Sequence, residues 1–98
     1  MTAPARTPTR RPVPRVPGDG TGDAWRVVVL NDDHNTFEGV AFALATVIPG
    51  VSYEGGLEMA NRIHNKGRDV VWSGHREAAE LYWQRLDDFG LTMAPLGA

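Results

Sequence analysis

The segment from Asn31 to Asn35 concentrates two amides, two carboxylates and an imidazole in consecutive positions, and we call it the polar box. A simple turn needs only one Asn or Asp to begin it, so a cluster of this kind indicates a site that binds something cationic. If the segment is extended, Asp32 and Asp33 point to opposite sides, whereas Asn31 and Asp33 share a face. An amide oxygen and a carboxylate suit a primary ammonium group, which has donors and no acceptor.

A second candidate is His64, which lies with Ala60 and Ile63 on the apolar arc of a predicted helix and away from its solvent face. A neutral imidazole has one ring nitrogen that accepts a hydrogen bond, and this nitrogen is a candidate third acceptor for an ammonium group. The apolar neighbours suit a ligand in which an ammonium adjoins a hydrophobic side chain. An N-terminal amino acid is such a ligand.

Other interpretations of these residues, purely structural or metal-binding, compete with this hypothesis. Each box residue suits a strand-to-helix turn in which its side chain accepts from nearby backbone N–H groups, and His64 suits a packed histidine bonded to the backbone. A divalent metal held by Asp32, Asp33, His34 and His64 is the less favoured alternative, because adjacent carboxylates seldom chelate one ion and no two-histidine helix spacing is present.

Length and composition indicate a small single domain of 98 residues with 42% hydrophobic residues and no cysteine. The absence of cysteine excludes disulfides, zinc–thiolate sites and thiol nucleophiles. Acidic residues outnumber Lys and Arg in residues 24–98, which argues against a nucleic-acid partner. No apolar run approaches the roughly 18 residues of a membrane helix. We therefore predict no nucleic-acid, membrane or cofactor binding.

The elements that must position the candidate residues follow from the apolar spacing. Residues 1–23 are rich in Pro and Arg and predict a flexible extension, whereas residues 24–98 predict the folded domain. In that domain, Asn35 is a candidate helix cap with Glu38 in a capping box, and Ser73 or Gly74 opens the last helix. The β-branched runs predict strands at residues 25–30 and 68–72 and a short third strand at residues 91–93. The predicted order is β-α-α-β-α-β, an α+β domain with three helices covering a three-stranded sheet. We expect this sheet to be antiparallel, although the spacing alone does not fix the direction of strand pairing.

In these features the chain resembles ClpS, the adaptor that delivers N-degron substrates to a Clp AAA+ unfoldase and its protease. The resemblance rests on the run from Val29 to Asp33, which leads through a short turn into a helix, and on His64 and Gly67 at the end of the next long helix. It covers about residues 25–95. The resemblance implies a cytoplasmic, non-enzymatic protein of N-end rule proteolysis.

The resemblance also implies roles for individual residues. Asn31, Asp33 and His64 would bind the substrate's α-amino group, and Glu77 would face the N-terminal domain of the Clp unfoldase. An apolar pocket would take a first residue such as Phe, Tyr, Trp or Leu. The pocket positions are Phe37, Val40, Ala60, Ile63 and Leu91, and the secondary box positions are Asp32, Asn35 and Thr36.

The chain departs from the family pattern at the pocket. Phe37 and Ala60 stand where the family often has Met, and Asn35 stands where Thr is usual, with Thr36 one place later. Met to Phe adds volume and Met to Ala removes it, so we expect an altered preference for the first residue. The leading hypothesis is an N-degron adaptor. The alternatives are a protein-interaction domain without this pocket and a small metal-dependent hydrolase.

Overall fold

The computed structural model describes residues 24–97. The predicted extension, residues 1–23, lies outside the described residues, so the domain boundary stays a prediction. The elements in chain order are β1 (Trp25–Leu30), α1 (Phe37–Val47), α2 (Tyr53–Lys66), β2 (Arg68–Gly74) and α3 (Arg76–Asp88). No helix among residues 24–97 is long and apolar enough to span a bilayer.

The two strands pair antiparallel, with Trp25 opposite Gly74 and Leu30 opposite Arg68, and the register shifts once between Val27 and Val28. Three consecutive valines, residues 27–29, are buried, as β-branched side chains on a packed strand should be. Beyond β1, the Asn31 backbone N–H donates to the Gly67 carbonyl at 2.9 Å. This bond brings the start of the polar box next to the end of α2.

The expected third strand at residues 91–93 is not confirmed, because the sheet within residues 24–97 has two strands. The segment instead makes isolated antiparallel bridges to β1, from Met93 to Val29 and from Gly97 to Arg26. The Leu30 N–H donates to the Thr92 carbonyl and the Ala94 N–H to the Val28 carbonyl, but the pairing shifts by one residue between Met93 and Gly97. The last part of the predicted order is therefore replaced by an irregular segment along the outer edge of β1.

The helix boundaries follow local capping chemistry. Thr36, and not the predicted Asn35, caps α1, since the Thr36 hydroxyl accepts from the Gly39 backbone N–H at 2.9 Å. Ser52 caps α2 in the same way, and Gly67, with φ of 90°, ends that helix in the left-handed conformation that glycine tolerates. Strand β2 continues to Gly74, so α3 begins after His75, later than predicted.

The core lies between the sheet and the helices, and α1 packs most closely on α2 at Gly56. A Cβ built on Gly56 would lie 2.7 Å from the Ala41 carbonyl oxygen, so only glycine allows this approach of the two helix backbones. The Trp83 indole N–H donates to the Ala94 carbonyl at 2.7 Å and fastens the irregular C-terminal segment to α3. The cleft described below lies at one end of this core.

Candidate functional site

A cleft open to solvent lies where the end of β1, the start of α1, the last turns of α2 and Leu91 meet. It contains about 380 Å³ of space, a figure that includes open solvent at the mouth. One wall is apolar and the mouth is polar. The cleft therefore suits a small ligand with a hydrophobic body and a polar head.

The apolar wall contains every residue that the resemblance assigned to the pocket. These residues are Phe37, Val40, Ala60, Ile63 and Leu91. Their side chains are buried except that of Phe37, which is 38% exposed at the rim. The two α2 members lie three residues apart and the two α1 members likewise, so helical spacing places each pair on the face that looks into the cleft.

The polar mouth includes Asn31 and His64, both exposed and both lining the cleft. The expectation that His64 avoids the solvent face is wrong in that respect, because His64 lies in the last turn of α2, where the helix runs beyond the core. Its imidazole meets the ring of Phe37 edge-on, with ring centroids 5.3 Å apart. The contact joins the polar mouth to the rim of the apolar wall.

The two neighbouring carboxylates of the box are separated in the structure. Asp33 is exposed and does not line the cleft as described, whereas Asp32 is half-buried and lines it. The role of Asp33 at the α-amino group stays a prediction. The assignment of Asp32 to the turn agrees with its hydrogen bonds.

Asp32 accepts four hydrogen bonds from three residues. Its Oδ1 accepts from the backbone N–H groups of His34 (3.1 Å) and Asn35 (2.8 Å), and its Oδ2 accepts from Asn35 Nδ2 (2.8 Å) and Thr92 Oγ1 (2.7 Å). Burial alone raises the pKa of this carboxyl, but donors to the ionised form outweigh burial and hold the pKa of Asp32 well below its usual value. Asp32 is thus an ionised carboxylate at the cleft whose acceptors are largely engaged.

Sequence reasoning missed Thr92 and Gly90. Asn35 Nδ2 donates to the Gly90 carbonyl at 3.0 Å as well as to Asp32, so the box is fastened to a segment 55 or more residues away. No local pattern signals a contact of this range, since neither residue belongs to a periodic apolar run. His34 lies at the surface, with its Nδ1 3.7 Å from Asp32 Oδ1.

Two further expectations concern other positions. Glu77 is exposed in the first turn of α3 and does not line the cleft. For the metal alternative, no group of three His, Cys, Asp or Glu side chains within residues 24–97 comes together to hold an ion. Asp32 and His34 are neighbours, but Asp33 and His64 do not join them in such a group.

Comparisons with known proteins add to this geometry. Residues 21–94 match the family model described as "ATP-dependent Clp protease adaptor protein ClpS". The chain is 49% identical over 74 residues to a Clp protease adapter protein of Nostoc sp., covering 76% of each chain. It is 30% identical over 91 residues to one of Mycobacterium tuberculosis, covering 93% of this chain and 89% of the other.

A solved structure is also similar. The Agrobacterium tumefaciens protein ClpS2, in its structure bound to L-phenylalaninamide, aligns with a TM-score of 0.69 and 27% sequence identity. The match covers 74% of this chain and 93% of that one. The α+β arrangement of three helices and an antiparallel strand pair is therefore shared with that protein.

Proposed function

The chain belongs to the ClpS family of Clp protease adaptors, and from this premise we propose that it binds proteins through a bulky hydrophobic N-terminal residue and delivers them to a Clp AAA+ unfoldase. As a member of this family it is an adaptor and not an enzyme, which removes the hydrolase alternative. The observation that carries the proposal is the cleft, in which a buried apolar wall adjoins a mouth of hydrogen-bond acceptors.

In the proposed complex, the first side chain of the substrate enters between Val40, Ala60 and Ile63, with Phe37 and Leu91 completing the wall. The α-ammonium donates at the mouth, where Asn31 supplies an amide oxygen and His64 a neutral ring nitrogen. The exposed carboxylate of Asp33 adds a charge-assisted acceptor from outside the wall. An L-phenylalaninamide ligand, as in the similar Agrobacterium structure, carries both features: an α-amine and an aromatic side chain.

Selection in this mechanism requires both features at once. Burial of a large apolar side chain contributes about 1.5–3 kcal/mol. A ligand without a free amine leaves the mouth's polar groups unpaired in the complex, at a cost of about 1–3 kcal/mol. Neither contribution alone gives tight binding, so an internal Phe or an acetylated N-terminus is rejected.

Delivery requires a second surface for the unfoldase. We propose that the exposed Glu77, at the start of α3, faces the N-terminal domain of the Clp unfoldase in the cytoplasm. Glu77 does not line the cleft, so both partners could be bound at the same time.

The test is fluorescence anisotropy with the full chain and labelled peptides that differ only at the N-terminus. We expect Phe- and Leu-initiated peptides to bind and their N-acetylated forms to fail. Asp33→Ala should weaken binding of the free-amine peptides by about tenfold, since charged hydrogen bonds are worth about 1.5–3 kcal/mol. Glu58→Ala, which removes an exposed acidic group of α2 outside the cleft, is the control.

Equal affinity for the free and acetylated peptides would contradict the proposed function. An unchanged affinity in Asp33→Ala, with Glu58→Ala also unchanged, would remove Asp33 from the site and leave the amine to Asn31 and His64. Loss of affinity in both variants would show a general effect of charge in place of a specific contact.

A further inference from the structure

The polar box is held to the rest of the fold by a small network around one carboxylate. Asp32 Oδ2 accepts from both Thr92 Oγ1 and Asn35 Nδ2, at 2.7 and 2.8 Å, and the same Asn35 amide reaches the Gly90 carbonyl. We call Asp32, Asn35 and Thr92 the latch. It joins the segment between β1 and α1 to the segment that follows α3.

The segment on the far side of the latch is firmly placed. The Leu30 backbone N–H donates to the Thr92 carbonyl at 2.8 Å, and the Leu91 N–H donates to the Leu86 carbonyl at 3.3 Å. Leu91 is also buried in the apolar wall of the cleft. The latch therefore ties the box to a support that is itself part of the binding cleft.

Apart from the backbone hydrogen bond from Asn31 to Gly67, few contacts define the shape of the box. Asn31, Asp33 and His34 are exposed, and packing does not restrict exposed side chains. Asp32 Oδ1 closes the turn by accepting from the His34 and Asn35 backbone N–H groups. The positions of Asn31 and Asp33, on either side of Asp32, thus depend on how this carboxylate is held.

We propose that Thr92, through Asp32, is a positioning residue that preorganises the polar box for the amino group of a bound N-terminus. This inference rests on the proposed function. Thr92 does not line the cleft, so it acts on the ligand only through the box. A box that is already ordered loses less conformational entropy on binding, and this raises affinity without a direct contact.

The test compares Thr92→Val, which removes the hydroxyl at nearly constant shape, with Thr92→Ser, which keeps it. Thr46→Val is the matched control. The Thr46 hydroxyl donates to the Phe42 carbonyl on the exposed face of α1 and has no part in the latch. We expect Thr92→Val to weaken the binding of Phe-initiated and Leu-initiated peptides by the same factor of about ten. Thr92→Ser should stay within about twofold of the wild type, as should Thr46→Val.

An equal factor for both peptides is the signature of positioning at the amine, because both peptides share the amine and differ in the side chain. Thr92→Val should also speed amide hydrogen exchange at His34 and Asn35, whose N–H groups bond to Asp32. Wild-type affinity in Thr92→Val, a changed Phe-to-Leu ratio, or Thr92→Ser as weak as Thr92→Val would each overturn the inference.

Circular dichroism and thermal melting show whether Thr92→Val folds. If it does not, Thr92→Ala, which also removes the hydroxyl, is judged by the same criterion. A wild type that binds free and acetylated peptides equally contradicts the proposed function itself. A wild type that discriminates between them, beside an unaffected latch variant, contradicts this inference alone.

Discussion

The depth of the apolar pocket depends on Ala60, and Ala60→Met is the change that tests it most directly. Ala60 is 3% exposed and lies in the cleft wall between α1 and α2, one turn before His64. A Met at this position would extend a thioether chain from the wall into the space that we assign to the first side chain of the substrate. We therefore expect Ala60→Met to disfavour the largest first residues.

The expected size follows from overpacking. Forcing additional heavy atoms into an occupied apolar site costs about 1–3 kcal/mol, which corresponds to a loss of affinity of about 5- to 150-fold. A Trp-initiated peptide should lie near the upper end, because its indole needs the most space. A Leu-initiated peptide should lie near the lower end or be unaffected, since a flexible Met side chain adapts to a smaller neighbour.

The assay is anisotropy with Trp-, Phe- and Leu-initiated peptides of otherwise identical sequence, and the reported quantity is the ratio of the Trp and Leu dissociation constants. Ala78→Met is the matched control: Ala78 is half-buried on α3 and does not line the cleft. Thermal melting of both variants separates an effect on the pocket from an effect on the fold.

The reasoning is refuted if Ala60→Met leaves the Trp-to-Leu ratio unchanged while the variant remains folded. It is also refuted if Ala78→Met changes the ratio as much, because the effect would then not arise in the cleft. A Trp-to-Leu ratio that rises about fivefold or more in Ala60→Met alone supports the assignment of Ala60 to the apolar wall of the cleft.

Two further predictions concern stability. Gly56→Ala should destabilise the domain by about 1–3 kcal/mol in urea unfolding, because the new Cβ would lie 2.7 Å from the Ala41 carbonyl oxygen, a strain that exceeds the gain in helix propensity. Asp32→Asn should destabilise the domain by about 1.5–3 kcal/mol at neutral pH. Because folding lowers the pKa of Asp32, its contribution is present above the unfolded-state pKa, near 3.9, and is lost as pH falls towards the folded-state value. The stability difference between wild type and Asp32→Asn should therefore shrink below about pH 4.

Each of these predictions has a neighbouring control. Gly55→Ala places its Cβ against side-chain atoms of Ser52 and Val51, so it should cost less stability than Gly56→Ala. Equal unfolding free energies in the two variants would contradict the close approach of α1 and α2. Asp33→Asn makes the same chemical change as Asp32→Asn at an exposed neighbour. A pH-independent difference for Asp32→Asn, or an identical profile in both variants, would contradict the role given to the hydrogen bonds of Asp32.

The parts of the fold that sequence alone predicts are those with local causes. Helix α2 has local signals at both ends, since the Ser52 hydroxyl caps its first turn and Gly67 ends it in the left-handed conformation. A regular third strand is not found, although residues 91–93 have suitable side chains, because the segment makes only isolated bridges to β1 and its pairing shifts by one residue before Gly97. The cap of α1 moved by one residue, since Asp32 engages Asn35 and leaves the capping position to Thr36.

In the candidate site, too, the parts with local causes are easier to predict than the parts held by long-range contacts. The resemblance assigns the residues of the apolar wall, and helical spacing explains why its α1 and α2 members share a face. The polar mouth is less readable, because Asp32, Asn35 and Thr92 are joined by contacts across up to 60 residues. The residue types of the box predict that it binds something cationic. They do not show which of its side chains are held in hydrogen bonds by the rest of the fold.

The distinction between Asp32 and Asp33 has a physical consequence for the amine site. An ionised carboxylate that already accepts four hydrogen bonds has little capacity left for a ligand, so we expect Asp32 to attract an ammonium ligand through its charge more than through a direct bond. Asp33 is exposed, and solvent screens its charge until a ligand covers the mouth. A free N-terminus would thus meet the fixed negative charge of Asp32 at the cleft. It would also meet the charge of Asp33, whose attraction for the ammonium becomes stronger as the bound substrate excludes water. Asn31 and His64, which both line the cleft, would then orient the ammonium by accepting hydrogen bonds from it.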